Sequence, residues 1–253
     1  MARQTVVIHS ERAIEGIRRA AQATAAVLAQ LAAFVRPGLS TLEVDRQAAD
    51  FIHAAGGESA FRGYHGFPGT ICISLNQEII HGIGRADRII APGDLVSMDV
   101  GVRLRGYIGD CARTVCAGGP PSGPSATLLR AAEEALFAGI AKACSGNYVN
   151  DISAAVESVV KSYGFAVVRD FVGHGCGREL HEPPEVPNFA QHATGARLVP
   201  GMVLAIEPMV NTGTHRVEID RQDHWTVRTA DGGWSAHVEH MVLITRDKPE
   251  ILT

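Results

Sequence analysis

A chain of 253 residues and 26.9 kDa, 46% of it hydrophobic, is long enough to bury a sizeable core as one large domain or two intimate halves. A net charge of −4 and a pI near 6.2 exclude the basic footprint of a DNA-binding protein, and no apolar run reaches transmembrane length. Met1–Ser10 lacks the apolar core of a signal peptide, and five cysteines without a regular framework fit a reducing compartment, so a cytoplasmic protein is expected.

Ser10 caps a predicted helix that runs to about Val35 and is closed by Pro37-Gly38. Ser40 or Thr41 caps a second helix ending at Gly56-Gly57, and strands follow at 70–75, 95–102 and 107–115. Gly118-Gly119-Pro120-Pro121-Ser122-Gly123-Pro124 is the clearest break in the chain. Beyond it the order repeats: helices over about 125–143 and 150–163, then strands from Phe165, Met202, His224 and His237. Two rounds of helix-helix-strands predict an α+β fold with helices packed on one side of antiparallel sheet.

The repetition extends to single residues. Pro92-Gly93 opens an apolar strand that ends on Asp99, and Pro200-Gly201 opens another that ends on Glu207, 108 residues later. Gly38 and Gly56 match Gly146 and Gly164 at that offset, and Tyr64-His65-Gly66 matches Gly173-His174-Gly175 at 109. Burying an acid at the end of an apolar strand is costly unless a proton, a partner or a metal compensates it. Finding the device twice suggests a duplication, with halves of roughly 10–118 and 124–253 forming one catalytic domain and a site between them.

Within 95–102, Val96, Met98, Val100 and Val102 face one way while Ser97, Asp99 and Gly101 face the other. A two-residue loop at Leu104-Arg105 would put Asp99 directly opposite Asp110, where like charges repel unless a cation lies between them. The alternative is an exposed acidic hairpin neutralised by Arg103, Arg105 or Arg113. His174 and His181 lie in a glycine-rich segment, Gly173–Pro184, expected as a loop after an apolar strand over 165–172. His81 follows a strand and precedes a glycine. Glu239 lies on the last strand, whereas the 108-residue offset from Asp110 nominates Glu218, and the repeat leaves that choice open. Carboxylates with imidazole make a hard, oxygen-rich donor set, unlike a thiolate zinc site.

Taken together, Asn76–Gly82, Asp99, Asp110, Gly173–Pro183, Ile206–Val210 and Ser235–His240 resemble the type I methionine aminopeptidases over almost the whole chain. The resemblance implies a pita-bread fold of two pseudo-symmetric halves, with curved antiparallel sheet inside and helices outside. It implies two divalent metal ions on Asp99, Asp110, His174, Glu207 and Glu239, choosing Glu239 over Glu218 and requiring an insertion in the second half. His81, His181 and Glu207 become catalytic residues. Phe61, Tyr64, Phe67, Cys72, Leu180 and Trp225, around His81 and His181, become the methionine pocket. Asn76 and Ser235 resemble a monovalent-cation site. The expected activity is removal of the initiator methionine from peptides and nascent chains with a small second residue. The ribosome is an expected partner, DNA and membrane are not, and a monomer is expected.

Two positions depart from the family pattern. Phe61 stands where a small residue such as cysteine is familiar, and Leu180 where phenylalanine is; the loss at one is expected to offset the gain at the other. The chain reads as lacking the zinc-binding N-terminal extension, and 32 positions between Glu207 and Glu239 leave no room for the helical insertion of type II enzymes. The competing enzyme reading is a proline-specific relative, aminopeptidase P or prolidase. The competing non-enzyme reading is a binding protein that keeps the fold, and the presence of all five ligands speaks against it.

Overall fold

The computed structural model describes residues 6–253; Met1–Thr5 of the stretch read for a signal peptide lie outside the described residues. Ser10 starts the first helix, α1 (Glu11–Phe34), by accepting the Ala13 N–H at 3.3 Å, which satisfies one of the helix's free donors. Ser40 starts α2 (Thr41–Ala54) with a capping box: its hydroxyl accepts the Glu43 N–H while the Glu43 carboxylate accepts the Ser40 N–H. α1 packs along the long hairpin of β4 (Leu95–Leu104) and β5 (Tyr107–Cys116). The other edge of β4 carries β1 (Glu58–Ser59) and β2 (Cys72–Leu75), all antiparallel.

The hairpin corrects the expected register. The turn residues are Arg105 and Gly106, both with positive φ (51° and 82°), the backbone of a tight hairpin turn whose twist matches its strands. Leu104 therefore pairs with Tyr107, Asp99 faces Ala112, and Asp110 faces Gly101. The two acids are diagonal neighbours on one face, still within side-chain reach, rather than directly opposed. Val96, Met98, Val100 and Val102 are fully buried on the helix side with Val44, Ala48 and Ile52 of α2.

After the Gly/Pro stretch, α3 (Gly123–Ile140) begins within it, two residues before the expected start, and α4 (Val149–Ser162) packs on α3. Their apolar faces bury Leu128, Ala132, Ile152 and Val156 against Leu204, Ile206 and Val210. The sheet here is more divided. β7 (Gly173–Gly175), β8 (Glu182–Val186), β9 (Val203–Ile206), β14 (His240–Leu243) and β15 (Glu250–Ile251) form one antiparallel sheet in the order β15-β14-β9-β7-β8. β6 (Ala166–Val167), β10 (Met209–Asn211) and β13 (Ser235–His237) form a second. β11 (Val217–Ile219) and β12 (Val227–Thr229) join β3 (Glu78–Ile80) from the first half of the chain. Of the segment expected as one strand over 165–172, only Ala166–Val167 forms strand, with Val168 N–H still donating to Met209 O, and His174, expected in a loop, lies on β7.

Matching details recur 108 residues apart. An isolated bridge joins Ser40 to Ile89, and another joins Tyr148 to Arg197. Gly38 N–H donates to Ile90 O at 2.9 Å, and Gly146 N–H to Leu198 O at 3.0 Å. Between the two regions lies a third apolar cluster, with Ile17, Phe61, Phe67, Cys72, Leu180, Val203 and Met241. Among the described residues, no helix is long and apolar enough to cross a membrane.

Candidate metal centre and cleft

Five elements aim polar side chains at one buried point. Asp99 and Asp110 come from the hairpin, His174 from β7, Glu207 from the end of β9, and Glu239 from the link between β13 and β14. One carboxylate oxygen from each of Asp99, Asp110 and Glu239 lies within 4.8 Å of the others. His174 Nε2 is 3.3 Å from Glu207 Oε1 and 3.9 Å from Asp110 Oδ2. The His174 Nδ1 sits 2.9 Å from the Gly175 carbonyl, an acceptor only, so Nδ1 carries the proton and Nε2 presents a lone pair to the cluster.

The electrostatics of this point are unfavourable without a cation. Burial pushes the Asp99 carboxyl up to about 7 and that of Glu207 up to about 8. Burial, reinforced by neighbouring carboxylates, raises Asp110 and Glu239 well above the usual range. Burial pushes His174 down to about 3, the neutral form that ligates metals. Asp99 Oδ1, Asp110 Oδ1 and Glu239 Oε1 are buried without a hydrogen-bond partner. Among the described residues, no lysine or arginine pairs with these acids; Arg113 is exposed and faces Met98, on the other side of β4 from Asp99. The exposed-hairpin alternative therefore fails, and the orphaned oxygens fit a divalent cation. Glu218 is exposed on β11, away from this point, while Glu239 is 3% exposed.

A cleft of about 530 Å³ opens onto the carboxylates, lined by Phe61, Tyr64, Phe67, Cys72, His81, Leu180, His181 and Trp225 among others. Every residue assigned to the methionine pocket by resemblance is therefore brought together. Phe67 and Trp225 meet edge to face with centroids 5.2 Å apart, and the His81 ring lies 5.5 Å from Phe171 and 6.3 Å from Trp225. Burial pushes His81 down to about 4 and lowers His181 as well, so both rings are neutral near pH 7. Phe61 packs over Gly101: a Cβ added there would overlap the Phe61 ring. The space Phe61 takes up is thus released by Gly101. Leu180 lies in the same apolar cluster as Phe61.

Asn76 and Ser235 are adjacent, with Ser235 N–H donating to Asn76 O at 2.8 Å. The Asn76 side chain is engaged with Asp94 and the Leu95 N–H, while Ser235 Oγ is buried and unpartnered. Sequence reasoning missed His237. It is 1% exposed, with an unpartnered Nε2 3.5 Å from Glu207 Oε2, and its backbone is held by Thr114 Oγ1. Strand alternation could have found it, because Ser235, His237 and Glu239 recur at every second position.

The sequence matches metallopeptidase family M24 over residues 15–246. It is 46% identical to a methionine aminopeptidase of Clostridium acetobutylicum over 248 residues, covering 98% of each chain. The crystal structure of methionine aminopeptidase from Thermotoga maritima superposes with a TM-score of 0.95 at 38% identity, over 98% of this chain and 99% of that one. The prolidase from Pyrococcus furiosus, at 23% identity and a TM-score of 0.78, shares the fold over 98% of this chain and 65% of its own. The chain has the pita-bread architecture of these proteins and belongs to metallopeptidase family M24, within it to the methionine aminopeptidases.

Proposed function

We propose that this protein is a metal-dependent aminopeptidase that releases the N-terminal methionine of peptides and nascent chains, favouring a small second residue. The carrying observation is the convergence of Asp99, Asp110, His174, Glu207 and Glu239 at the closed end of an apolar, ring-lined cleft. Two divalent ions on these ligands would supply an activated water and polarise the scissile carbonyl. Phe61, Phe67, Cys72, Leu180 and Trp225 offer the methionine side chain a pocket of rings and sulfur that suits a flexible thioether. Glu207 accepts the proton of the attacking water and returns it to the leaving amine. His181, neutral, donates a hydrogen bond to the oxygen of the scissile carbonyl as charge builds there. His81 holds the scissile amide nitrogen, with its ring fixed between Phe171 and Trp225. Ser235 and Asn76 would hold a monovalent cation beside this centre, and residues 10–118 and 124–253 act as the two halves of one catalytic domain.

The test uses chelator-treated protein reloaded separately with cobalt, manganese, iron or zinc. Free methionine is expected from Met-Ala-Ser, and less from a peptide with a bulky second residue, only after a divalent ion is restored. Cleavage of Xaa-Pro peptides regardless of the first residue would replace this reading with the proline-specific one.

A further inference from the structure

The methionine pocket leaves one polar group without a task. A thioether pocket needs the ring of Tyr64 but not its hydroxyl, and the neighbouring Phe67 contributes an aromatic wall without one. The Tyr64 hydroxyl instead crosses to the other half of the chain, where it lies 2.8 Å from His181 Nδ1, the ring centroids 5.2 Å apart.

The backbone around Tyr64 is built to hold it there. Tyr64 opens a single 3₁₀ turn (Tyr64–Gly66) in which His65 and Gly66 have positive φ, as does Gly63 just before it. Tyr64 N–H donates to Phe61 O at 2.9 Å, Phe67 N–H donates to Tyr64 O at 2.9 Å, and Gly63 N–H donates to Phe67 O at 2.8 Å. The His65 ring closes on the phenol edge to face at 4.4 Å. On the far side, the His181 ring rests edge to face on His174, with centroids 4.2 Å apart. His181 therefore sits between a fixed tyrosine and a fixed histidine.

A neutral imidazole has one donor and one acceptor nitrogen, so a partner at Nδ1 decides what the other nitrogen can do. Burial and the nearby Glu179 charge raise the Tyr64 phenol, which stays protonated and able to donate. We propose that Tyr64 is a positioning residue whose O–H donates to His181 Nδ1, fixing the proton of the neutral ring on Nε2. That tautomer makes His181 a hydrogen-bond donor toward the scissile carbonyl oxygen and leaves proton abstraction to Glu207. The inference rests on the aminopeptidase reading for the identity of that oxygen, but the tautomer itself does not depend on it.

Two-bond ¹H–¹⁵N spectra of histidine-labelled, zinc-loaded protein read the tautomer directly, with the His181 signals identified by their loss in His181→Ala. The wild type is expected to show an unprotonated Nδ1 and a protonated Nε2. Tyr64→Phe keeps the pocket ring and should give a mixture of tautomers. Its kcat on Met-Ala-Ser should fall about 10–100-fold, the range for removing a group that orients a functional histidine, with KM changed less than about twofold. In a His181→Ala background the same change should cost nothing further. A protonated Nδ1 in the wild type, an unchanged tautomer and kcat in Tyr64→Phe, or losses that multiply in the double variant would each overturn the proposal. Failure of the wild type to release methionine from any peptide would instead overturn the aminopeptidase reading, while the spectra would still decide the Tyr64–His181 contact.

Discussion

The acids of the N-terminal region sit inside two ten-residue strands, whereas those of the C-terminal region stand just past the ends of four-residue ones. Asp99 and Asp110 are held by an unbroken ladder from Leu95–Cys116 to Leu104–Tyr107. Glu207 and Glu239 flank the Ile206–His240 pair, where the β9–β14 ladder stops. The first two acids are 11 positions apart in sequence, the second two 32. The additional length carries β11 and β12, the latter paired with β3, and Trp225, which lines the cleft. The regular region thus supplies a rigid pair of oxygens. The interrupted region supplies His174, the proposed base and much of the substrate wall. Regular ladder suits ligands that stay put, and strand ends suit groups that also meet substrate.

Substitutions that separate these duties have the largest expected effects. Asp110→Asn removes a charged group from the rigid pair of proposed ligands, and His174→Ala removes the lone pair that faces Glu207; both should lower divalent-ion affinity as well as rate. His181→Ala should keep metal content near wild type while lowering kcat about 10²–10⁴-fold. Titration calorimetry on chelator-treated protein and single-turnover kinetics read the two quantities separately. Equal metal loss in His174→Ala and His181→Ala would erase the distinction between ligand and substrate-facing histidines.

Much of this division is legible in the sequence alone. The caps Ser10 and Ser40 and the Pro-Gly turns before the acid-ended strands are local signals, and each formed as local chemistry dictates. The hairpin register was not legible. Moving the loop by one residue, from Leu104-Arg105 to Arg105-Gly106, turns on which pair adopts positive φ, and the glycine at the second position decides it. His174 looked like a loop residue because three-residue strands such as β7 have no periodicity to read; pairing with β8 and β9 makes the strand. The Phe61–Gly101 contact joins residues 40 positions apart, and composition gives no warning of it.

That contact yields a prediction of intermediate size, and it tests whether the rigid hairpin also sets the width of the pocket. Gly101→Ala inserts a methyl group against the Phe61 ring, within a cluster that has no spare space on that side. Overpacking of this kind costs about 1–3 kcal/mol unless the ring moves, and the direction open to it is the cleft that both the ring and the proposed metal ligands line. KM for Met-Ala-Ser should rise, and Phe61→Ala should relieve most of the cost of Gly101→Ala. Additive effects of the two substitutions on kcat/KM would show that Phe61 and Gly101 do not compete for one volume.

The smallest expected effect concerns how the two regions are fastened beside the site. His9, in the segment leading into α1, places Nε2 3.0 Å from Glu182 Oε2, and both side chains are buried. Glu182 Oε1 also accepts the N–H groups of Arg178 and Glu179, so this carboxylate closes the loop that carries Leu180 and His181. Burial alone would raise the Glu182 carboxyl, but His9 and the two backbone donors more than offset it, and its value is lowered. A carboxyl depressed in the folded state contributes stability that is present above its unfolded value of about 4.3 and is lost as pH falls through the folded value. His9→Ala should therefore cost about 1 kcal/mol in urea unfolding at pH 7, where the carboxylate is charged. The difference from wild type should shrink below about pH 4, once Glu182 takes up a proton. A difference that persists undiminished at pH 3 would mean that His9 holds this loop by packing, since Gly177 lies against its ring, and not through the carboxylate.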